Sequence, residues 1–225
     1  MLPIGDSNPR RRFPWVTVLL IGANTVVHIY QMFLPASAQQ SFVLQAGLIA
    51  RDVTHNPGLP VAFDMLTSIF LHGSWLHLLG NMLYLWVFGD NIEERLGTIG
   101  FIAFYLLAGI GAALAQVAAN PNSTTPMIGA SGAIAGVLGA YLVIFPRARV
   151  RTLILFRFIL VRELPAVIVL GFWFVLQLIN GLLGAGNADG GVAWFAHIGG
   201  FVIGVLVGLL VRNRETEQSF YVTTP

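Results

Sequence analysis

The chain has 225 residues, of which 56% are hydrophobic and only 10% are charged, and its mean hydropathy is +0.77. Soluble globular domains usually carry about 25% charged residues, so this composition excludes an ordinary soluble domain and indicates a protein of the lipid bilayer. The absence of cysteine excludes thiol catalysis, disulfides and thiolate metal sites. The net charge is only +2, every basic residue is Arg, and we expect no nucleic-acid partner.

Six apolar segments are predicted to cross the membrane, since a transmembrane helix needs about 20 mostly apolar residues. The first follows Arg10, Arg11 and Arg12 and could be a signal peptide, because Ala36-Ser37-Ala38 resembles a cleavage site. Its apolar run is longer than the roughly 7 to 15 residues of a signal core, which favours a retained helix. The predicted spans are residues 13–34, the later part of 61–88, 98–119, 127–145, 165–183 and 192–211.

The connections between these segments are short and differ in character. A polar loop with Arg51 and His55 follows the first span. Residues 147–163 mix arginines with apolar residues, which is typical of a connection lying along the membrane surface. Residues 184–191 form a glycine-rich loop, and the tail from Arg212 is polar. These short connections leave no room for a second unit, so we expect one domain over residues 1–225 with its core at 13–211.

The arginines predict an orientation, because Lys and Arg in short loops concentrate on the cytoplasmic side. With the amino terminus inside, six spans put the three N-terminal arginines, Arg95, the 147–162 group and the carboxyl-terminal arginines inside, and leave Arg51 outside. Both termini are therefore predicted to be cytoplasmic.

Polar residues within spans are costly and often functional, and three groups of them fall near the starts of the even-numbered spans. The second span carries His77 and Asn81, the fourth begins with Gly129-Ala130-Ser131-Gly132, and the sixth carries His197. The even-numbered spans all run from outside to inside in the predicted topology. These side chains are therefore expected at one depth near the outer face.

These residue types suit nucleophilic catalysis. The Ser131 hydroxyl needs a base, and neutral imidazole, as in His197, is a suitable partner. His77 and Asn81 are four residues apart, so both can donate hydrogen bonds from one helical face towards an oxyanion. Free backbone amides near Ser131, at the start of a helix, are a further source of oxyanion stabilisation.

Glycines at intervals of four predict close packing between the fourth and sixth spans. The small residues are Gly132 and Gly136 on one helix and Gly200, Gly204 and Gly208 on the other. Such faces let helix backbones approach closely in membranes. A short serine side chain could then reach a histidine on the neighbouring helix.

Over residues 15–211 this ordered set of motifs resembles the rhomboid family of intramembrane serine proteases. The resemblance rests on His77-xxx-Asn81, on Gly129-x-Ser131-Gly and on Ala196-His197-x-x-Gly. A further segment, residues 89–97, resembles the family's cytoplasmic Gly-xxx-Glu-xxx-Gly turn. Apart from this resemblance, the Glu93, Glu94 and Arg95 cluster is expected to be solvated.

The resemblance implies an all-α membrane protein with a rhomboid-like bundle of six transmembrane helices. It implies that Ser131 attacks a peptide bond, that His197 relays the proton, and that His77, Asn81 and the Ser131 amide hold the oxyanion, with no cofactor. The implied partners are membrane-protein substrates, single-span ones in particular, and the lipid bilayer. Span five and the 184–191 loop resemble the family's gate for substrate entry.

Several histidines and one carboxylate have competing interpretations. His28 is expected to be a packed polar residue and His55 an exposed one, whereas His72 either caps the second span or shapes the rim of the site. Asp189 could be the third member of a catalytic triad with Ser131 and His197, but its position in a glycine-rich loop disfavours that role. A metal site is disfavoured, because neither a carboxylate nor a second paired spacing accompanies the histidines.

Two other functional classes stay open beside the protease. A catalytically silent rhomboid-like protein would bind membrane clients without cutting them, although loss of Ser131 or His197 would have been its signature. A transporter or channel is disfavoured, because the span centres lack charged residues and no inverted repeat is visible. The expected location is a bacterial cytoplasmic membrane.

Overall fold

The structure, a computed structural model, describes residues 1–155, 159–184 and 192–212. Within these ranges it is predominantly helical, with a small antiparallel sheet at one end. The helices are α1 (Trp15–Phe33), α2 (Ala36–Ala46), α3 (Ala50–His55), α4 (Leu59–Thr67), α5 (Trp75–Ala119), α6 (Ser131–Ile144), α7 (Ala166–Gly184) and α8 (Trp194–Val211). The strands are β1 (Leu2–Asp6), β2 (Arg149–Leu155) and β3 (Ile159–Pro165).

Within the described ranges, four helices are long and apolar enough to cross a membrane: α1, α5, residues 166–183 of α7, and α8. The 45 residues of α5 would extend about 68 Å as one straight helix, twice the roughly 30 Å hydrocarbon core of a bilayer. Gly97 interrupts it with a φ of 71°, a conformation that favours glycine. The second and third predicted spans lie on either side of this break.

Helix α6 lies at the centre of the molecule and is short. Its 14 residues extend about 21 Å, and nearly all of them are buried between α5 and α8. Because this helix is packed on most of its sides, its sequence is mostly apolar all round rather than amphipathic. The predicted fourth span, residues 127–145, thus contains a helix shorter than a typical bilayer crossing, and the count of six spans stays a prediction.

The predicted all-α fold class needs a correction, because three strands form a sheet in the order β1-β2-β3. Residues 147–163, predicted as a connection along the membrane surface, contain most of an antiparallel hairpin. Exposed arginines at 149 and 151 alternate with buried Val150 and Thr152, which is the two-residue period of a strand. The amino-terminal segment adds the third strand by pairing Pro3 with Thr152.

Two connecting segments also differ from expectation. The loop after the first span contains α2, α3 and α4. The cluster of Glu93, Glu94 and Arg95, predicted to be solvated, lies within α5, and Glu93 is only 6% exposed. Its carboxylate accepts hydrogen bonds from the backbone amides of Val16 and Thr17 and from the Thr17 hydroxyl, at 2.8 to 2.9 Å. Glu93 therefore binds buried amides at the start of α1 that have no acceptor within the helix.

The segments that carry most of the arginines gather at one end of the molecule. Arg10 forms an ion pair with Asp90 at 2.8 Å, and Arg95 donates to the carbonyl of Val211 at the end of α8. Strand β1 pairs with β2 at the same end. Arg51, by contrast, donates its backbone amide to Ser123, beyond the other end of α5.

Candidate active site

Ser131 and His197 are in direct contact. The serine is the first residue of α6, the histidine is the fourth residue of α8, and Oγ of Ser131 lies 2.8 Å from Nε2 of His197. This is hydrogen-bonding distance between a hydroxyl and an imidazole. The two side chains predicted to lie at one depth therefore form a pair in which the imidazole can accept the hydroxyl proton.

Close contact between the backbones of α6 and α8 makes this pair possible. A Cβ atom added to Gly200 would lie 2.0 Å from the carbonyl oxygen of Gly132, and one added to Gly204 would lie 1.9 Å from that of Gly136. No side chain fits between backbones at these distances. The predicted small-residue contact between the fourth and sixth spans is confirmed. It is looser at Gly208, where an added Cβ atom would lie 3.0 Å from Cβ of Val143 and 3.1 Å from the Ala140 carbonyl oxygen.

His77 and Asn81 lie beside the loop that leads into α6. Gly129 has a φ of +123°, and a Cβ atom there would lie 2.8 Å from two atoms of the His77 ring and 3.7 Å from Nδ2 of Asn81. Glycine is therefore required both by the backbone conformation and by the neighbouring imidazole. Both predicted oxyanion donors thus approach the backbone two residues before Ser131.

Ser74 determines where this part of α5 begins. Its hydroxyl accepts a hydrogen bond from the His77 amide at 3.1 Å, as the cap of the helix. His77 is thereby in the first turn, and Asn81 follows one turn later on the same face. The predicted spacing of the two donors is realised on the helix.

His72 precedes the helix and contacts Asn81 rather than the serine. Its Nε2 lies 2.9 Å from Nδ2 of Asn81, and its carbonyl oxygen lies 3.1 Å from Nδ1 of His28. Both histidines are fully buried, so His28 is a packed polar residue, as predicted. His72 thus supports one of the predicted oxyanion donors from behind. His55 is exposed on α3, as expected.

A residue that the sequence analysis missed contacts the other side of the histidine. Oε1 of Gln177, on α7, lies 2.8 Å from Nδ1 of His197, and the Gln177 side chain is 7% exposed. The available signal was its chemistry, because Gln177 and Asn180 are the two polar amides within a predicted span that is otherwise apolar. No motif or spacing marks it.

A second glutamine, Gln116 on α5, fixes the start of α8. Its Oε1 accepts hydrogen bonds from the backbone amides of Phe195 and Ala196 at 3.1 and 3.2 Å. The first amides of a helix lack acceptors within it, so this side chain supplies one. His197 follows directly, and its position along the helix depends on this contact.

The four predicted site residues line one cavity of about 1030 Å³. Tyr84, Trp173, Gln177 and Trp194 also line it, as does Gln116. The cavity is large enough for a short stretch of extended peptide, and polar groups from α5, α6, α7 and α8 converge on it. A site of this kind, apolar with a few convergent polar groups, is typical of ligand binding.

Two further sequence predictions bear on this region. Asp189 and all of the glycine-rich loop except Gly184 lie outside the described residues. Among the side chains that the structure describes, no group of three or more His, Cys, Asp or Glu is arranged to hold a metal ion.

Comparison with known proteins identifies the family. Residues 61–214 match the family model described as the Rhomboid domain. Similar curated proteins include Rhomboid protein 1, mitochondrial, of Saccharomyces cerevisiae, which is 31% identical over 69% of this chain and 43% of its own length. Another is Rhomboid-like protein 11, chloroplastic, of Arabidopsis thaliana, at 26% identity over 88% of this chain and 65% of its own length.

A mammalian rhomboid-like protein is also similar to this chain. The mitochondrial presenilin-associated rhomboid-like protein of Bos taurus is 30% identical over 87% of this chain and 50% of its own length. The chain thus spans roughly half the length of these curated relatives. Because the family model covers more than half of this chain and includes His77, Asn81, Ser131 and His197, the chain belongs to the rhomboid family.

Proposed function

We propose that this protein is an intramembrane serine endopeptidase that cleaves transmembrane or juxtamembrane segments of other membrane proteins. The observation that carries the proposal is the 2.8 Å contact between Oγ of Ser131 and Nε2 of His197, on the wall of a cavity among apolar helices. Membership of the rhomboid family supports it.

In the proposed reaction, Ser131 attacks the carbonyl carbon of the scissile peptide bond while His197 accepts the hydroxyl proton. The protonated histidine then gives that proton to the leaving amine, and an acyl-enzyme ester remains on Ser131. Water, deprotonated by His197, hydrolyses the ester and regenerates the serine. The reaction needs no cofactor.

His77, Asn81 and the Ser131 amide are proposed to stabilise the oxyanion. The amide of Ser131 begins α6 and has no acceptor within the helix, while His77 and Asn81 lie beside Gly129, two residues earlier. Donors arranged in advance towards developing negative charge lower the reaction barrier by a few kcal/mol each. Asn81 keeps one amide hydrogen for this role, because its hydrogen bond to His72 engages one of two.

The membrane arrangement is also a proposal. One domain with six crossings follows if α5 crosses twice around Gly97 and α6 forms the short central crossing. The arginine contacts gathered at one end support an orientation with that end and both termini in the cytoplasm. The cavity then opens near the outer face, where water can enter.

The proposed substrates follow from this arrangement, whereas the proposed location does not depend on it. Single-span membrane proteins are the proposed substrates, because such helices can enter a bilayer-facing site from the side. A bacterial cytoplasmic membrane is the proposed location. The relatives named above are described as mitochondrial or chloroplastic, so imaging a tagged chain in its own cells tests the location directly.

Cleavage of a single-span reporter in liposomes, with labelling by a fluorophosphonate that reacts with activated serines, tests the proposal. Ser131→Ala and His197→Ala should each lower cleavage by about 10⁴-fold or more, and Ser131→Ala should abolish labelling. The matched controls Ser37→Ala and His55→Ala change exposed residues and should cleave like the wild type.

Two other experimental outcomes would contradict the proposal, and they can be told apart. Cleavage that persists in Ser131→Ala would refute the serine mechanism. Neither cleavage nor labelling by the folded wild type, across several reporters, would favour the alternative of a catalytically silent protein that binds membrane clients. Crosslinking of reporters to the cavity would then separate client binding from inactivity.

A further inference from the structure

The contact between Gln177 and His197 has a defined direction. Oε1 of Gln177 faces Nδ1 of His197 at 2.8 Å, and Nε2 of the same amide donates to the carbonyl oxygen of Trp173 at 3.2 Å. Turning the amide over would place its oxygen against the Trp173 carbonyl, and two acceptors would repel each other. The second hydrogen bond therefore determines which amide atom faces the histidine.

This direction determines where His197 carries its proton. The amide oxygen can only accept a hydrogen bond, so Nδ1 of His197 must be protonated. In a neutral imidazole the lone pair then lies on Nε2, and Nε2 is the atom that faces Oγ of Ser131 at 2.8 Å. Gln177 thus selects the tautomer in which the histidine can accept the serine proton.

We propose that Gln177 is a positioning residue that holds His197 in its Nδ1-protonated tautomer and orients Nε2 towards Ser131. The inference rests on the proposed function, because tautomer selection matters only if His197 acts as a base. Gln177 contacts Nδ1 of His197, on the opposite side of the ring from the atom that faces Ser131, and therefore acts through the histidine. Its role resembles that of an orienting third residue, supplied here by a neutral amide.

The neutral amide sets the expected size of the effect. An orienting carboxylate would also stabilise the imidazolium formed during the reaction, whereas an amide oxygen supplies only a dipole. Loss of Gln177 should therefore cost less than loss of a carboxylate in that role. We expect kcat to fall by about 10- to 100-fold, with KM within about threefold.

The test compares three variants of the full chain. Gln177→Leu keeps the size of the side chain without an acceptor, Gln177→Glu keeps an oxygen acceptor, and Asn180→Leu removes an amide elsewhere on α7. The readouts are the rate of fluorophosphonate labelling, cleavage of the reporter, and ¹⁵N NMR of labelled His197. The nitrogen shifts report directly which ring nitrogen carries the proton.

The inference predicts that neutral His197 is protonated at Nδ1 in the wild type and populates both tautomers in Gln177→Leu. It also predicts slower labelling in Gln177→Leu, recovery of at least part of the rate in Gln177→Glu, and wild-type behaviour in Asn180→Leu. If Gln177→Leu misfolds, the comparison of Gln177→Glu and the shorter Gln177→Asn gives the same test.

Failure of this inference differs from failure of the proposed function. An unchanged tautomer and labelling rate in folded Gln177→Leu would overturn the role of Gln177 while leaving the protease intact. A wild type that neither cleaves nor becomes labelled would overturn the protease. The tautomer measurement would then still decide whether Gln177 sets the protonation of His197.

Discussion

Helix α8 contacts its neighbours α6 and α7 in two different ways. Against α6 the contact is backbone to backbone, with a Cβ atom at Gly204 only 1.9 Å from a carbonyl oxygen. Against α7 the contact is made by side chains, and Phe174 stacks on Phe201 with ring centres 4.3 Å apart. Among the residues that the structure describes, a Cβ atom at Gly171 on α7 would meet nothing within 4 Å.

The two hydrogen bonds of His197 therefore cross two different kinds of helix contact. The hydrogen bond between Ser131 and His197 crosses the close contact of α6 with α8, where the distance between backbones is fixed. The hydrogen bond between His197 and Gln177 crosses the side-chain contact with α7, where small displacements are tolerated. Substitutions on the two sides should therefore differ in size and in kind of effect.

The largest expected effect tests the close contact. Gly204→Ala places a methyl group 1.9 Å from the Gly136 carbonyl oxygen, and backbone on both sides must separate to admit it. We expect the free energy of unfolding to fall by at least about 3 kcal/mol, at the upper end for overpacking. We also expect the contact between Ser131 and His197 to be lost. Thermal unfolding in detergent and serine labelling measure both.

The matched control for that prediction is Gly171→Ala on α7. Its methyl group meets no atom of the described part of the chain within 4 Å, and alanine favours a helix over glycine by about 1 kcal/mol. The control should be at least as stable as the wild type. Equal midpoints for Gly204→Ala and the wild type would contradict the distinction between the two faces of α8.

The second prediction concerns the start of α8. Gln116→Leu leaves the Phe195 amide without its acceptor and weakens the hydrogen bonding of the Ala196 amide. An unsatisfied buried donor costs about 1 to 3 kcal/mol, and these two hydrogen bonds are part-buried, so we expect a loss of no more than about 2 kcal/mol in unfolding free energy. The exposed substitution Gln40→Leu on α2 is the control and should have little effect. Equal losses in the two variants would exclude the capping role.

The sequence predicted the parts of the site that depend on position along a helix. Span parity and counting put Ser131 and His197 at one depth, and glycine spacing predicted how their helices meet. The contact of Ser131 with His197 and the close packing of α6 on α8 agree with these predictions, because helical rise and period are set by the backbone. Their depth in a membrane stays a prediction. Gln177 was missed because its role depends on the rotation of α7 about its own axis, which the sequence of a mostly apolar segment does not reveal.

In the fold, too, the features set by nearby residues were predicted, and those set by residues far apart in the sequence were not. Apolar length predicted the long helices, whereas the sheet depends on pairing Pro3 with Thr152, almost 150 residues away along the chain. The burial of Glu93 likewise depends on the amides of α1 that it binds. From its own neighbours in sequence, Glu93 resembles an ordinary exposed acid.

The third prediction extends the comparison to the far end of α6. Tyr141 on α6 donates a hydrogen bond to Asp6 of β1, as does Asn91 of α5. Burial raises the pKa of Asp6 from about 3.8 to about 6, although the hydrogen bond from Tyr141 opposes the change. The protonated carboxyl therefore favours the folded state below about pH 4, and this contribution is lost as the pH rises through about 6.

Asp6→Asn keeps an acceptor for Tyr141 and does not ionise. The unfolding free energy of the variant relative to the wild type should therefore increase by roughly 1.4 kcal/mol between about pH 5 and pH 8. Chemical unfolding at several pH values in that interval measures the change. A difference between the two proteins that is constant with pH would show that Asp6 titrates alike in the folded and unfolded states.

The smallest expected effect tests the side-chain contact of α7. Phe174→Ala removes the ring that stacks on Phe201, and an aromatic pair contributes about 0.5 to 1.5 kcal/mol beyond its buried area. Lipid or neighbouring side chains can refill the space, so we expect the free energy of local unfolding of α7 to fall by about 1 kcal/mol. Backbone hydrogen exchange should become faster along α7, whereas α6 and the face of α8 that contacts α6 should stay protected. The control Phe172→Ala removes an exposed ring from the same helix and should leave exchange unchanged. Equal acceleration in α6 and α7 would mean that α8 holds its two neighbours by one cooperative contact rather than by two separable ones.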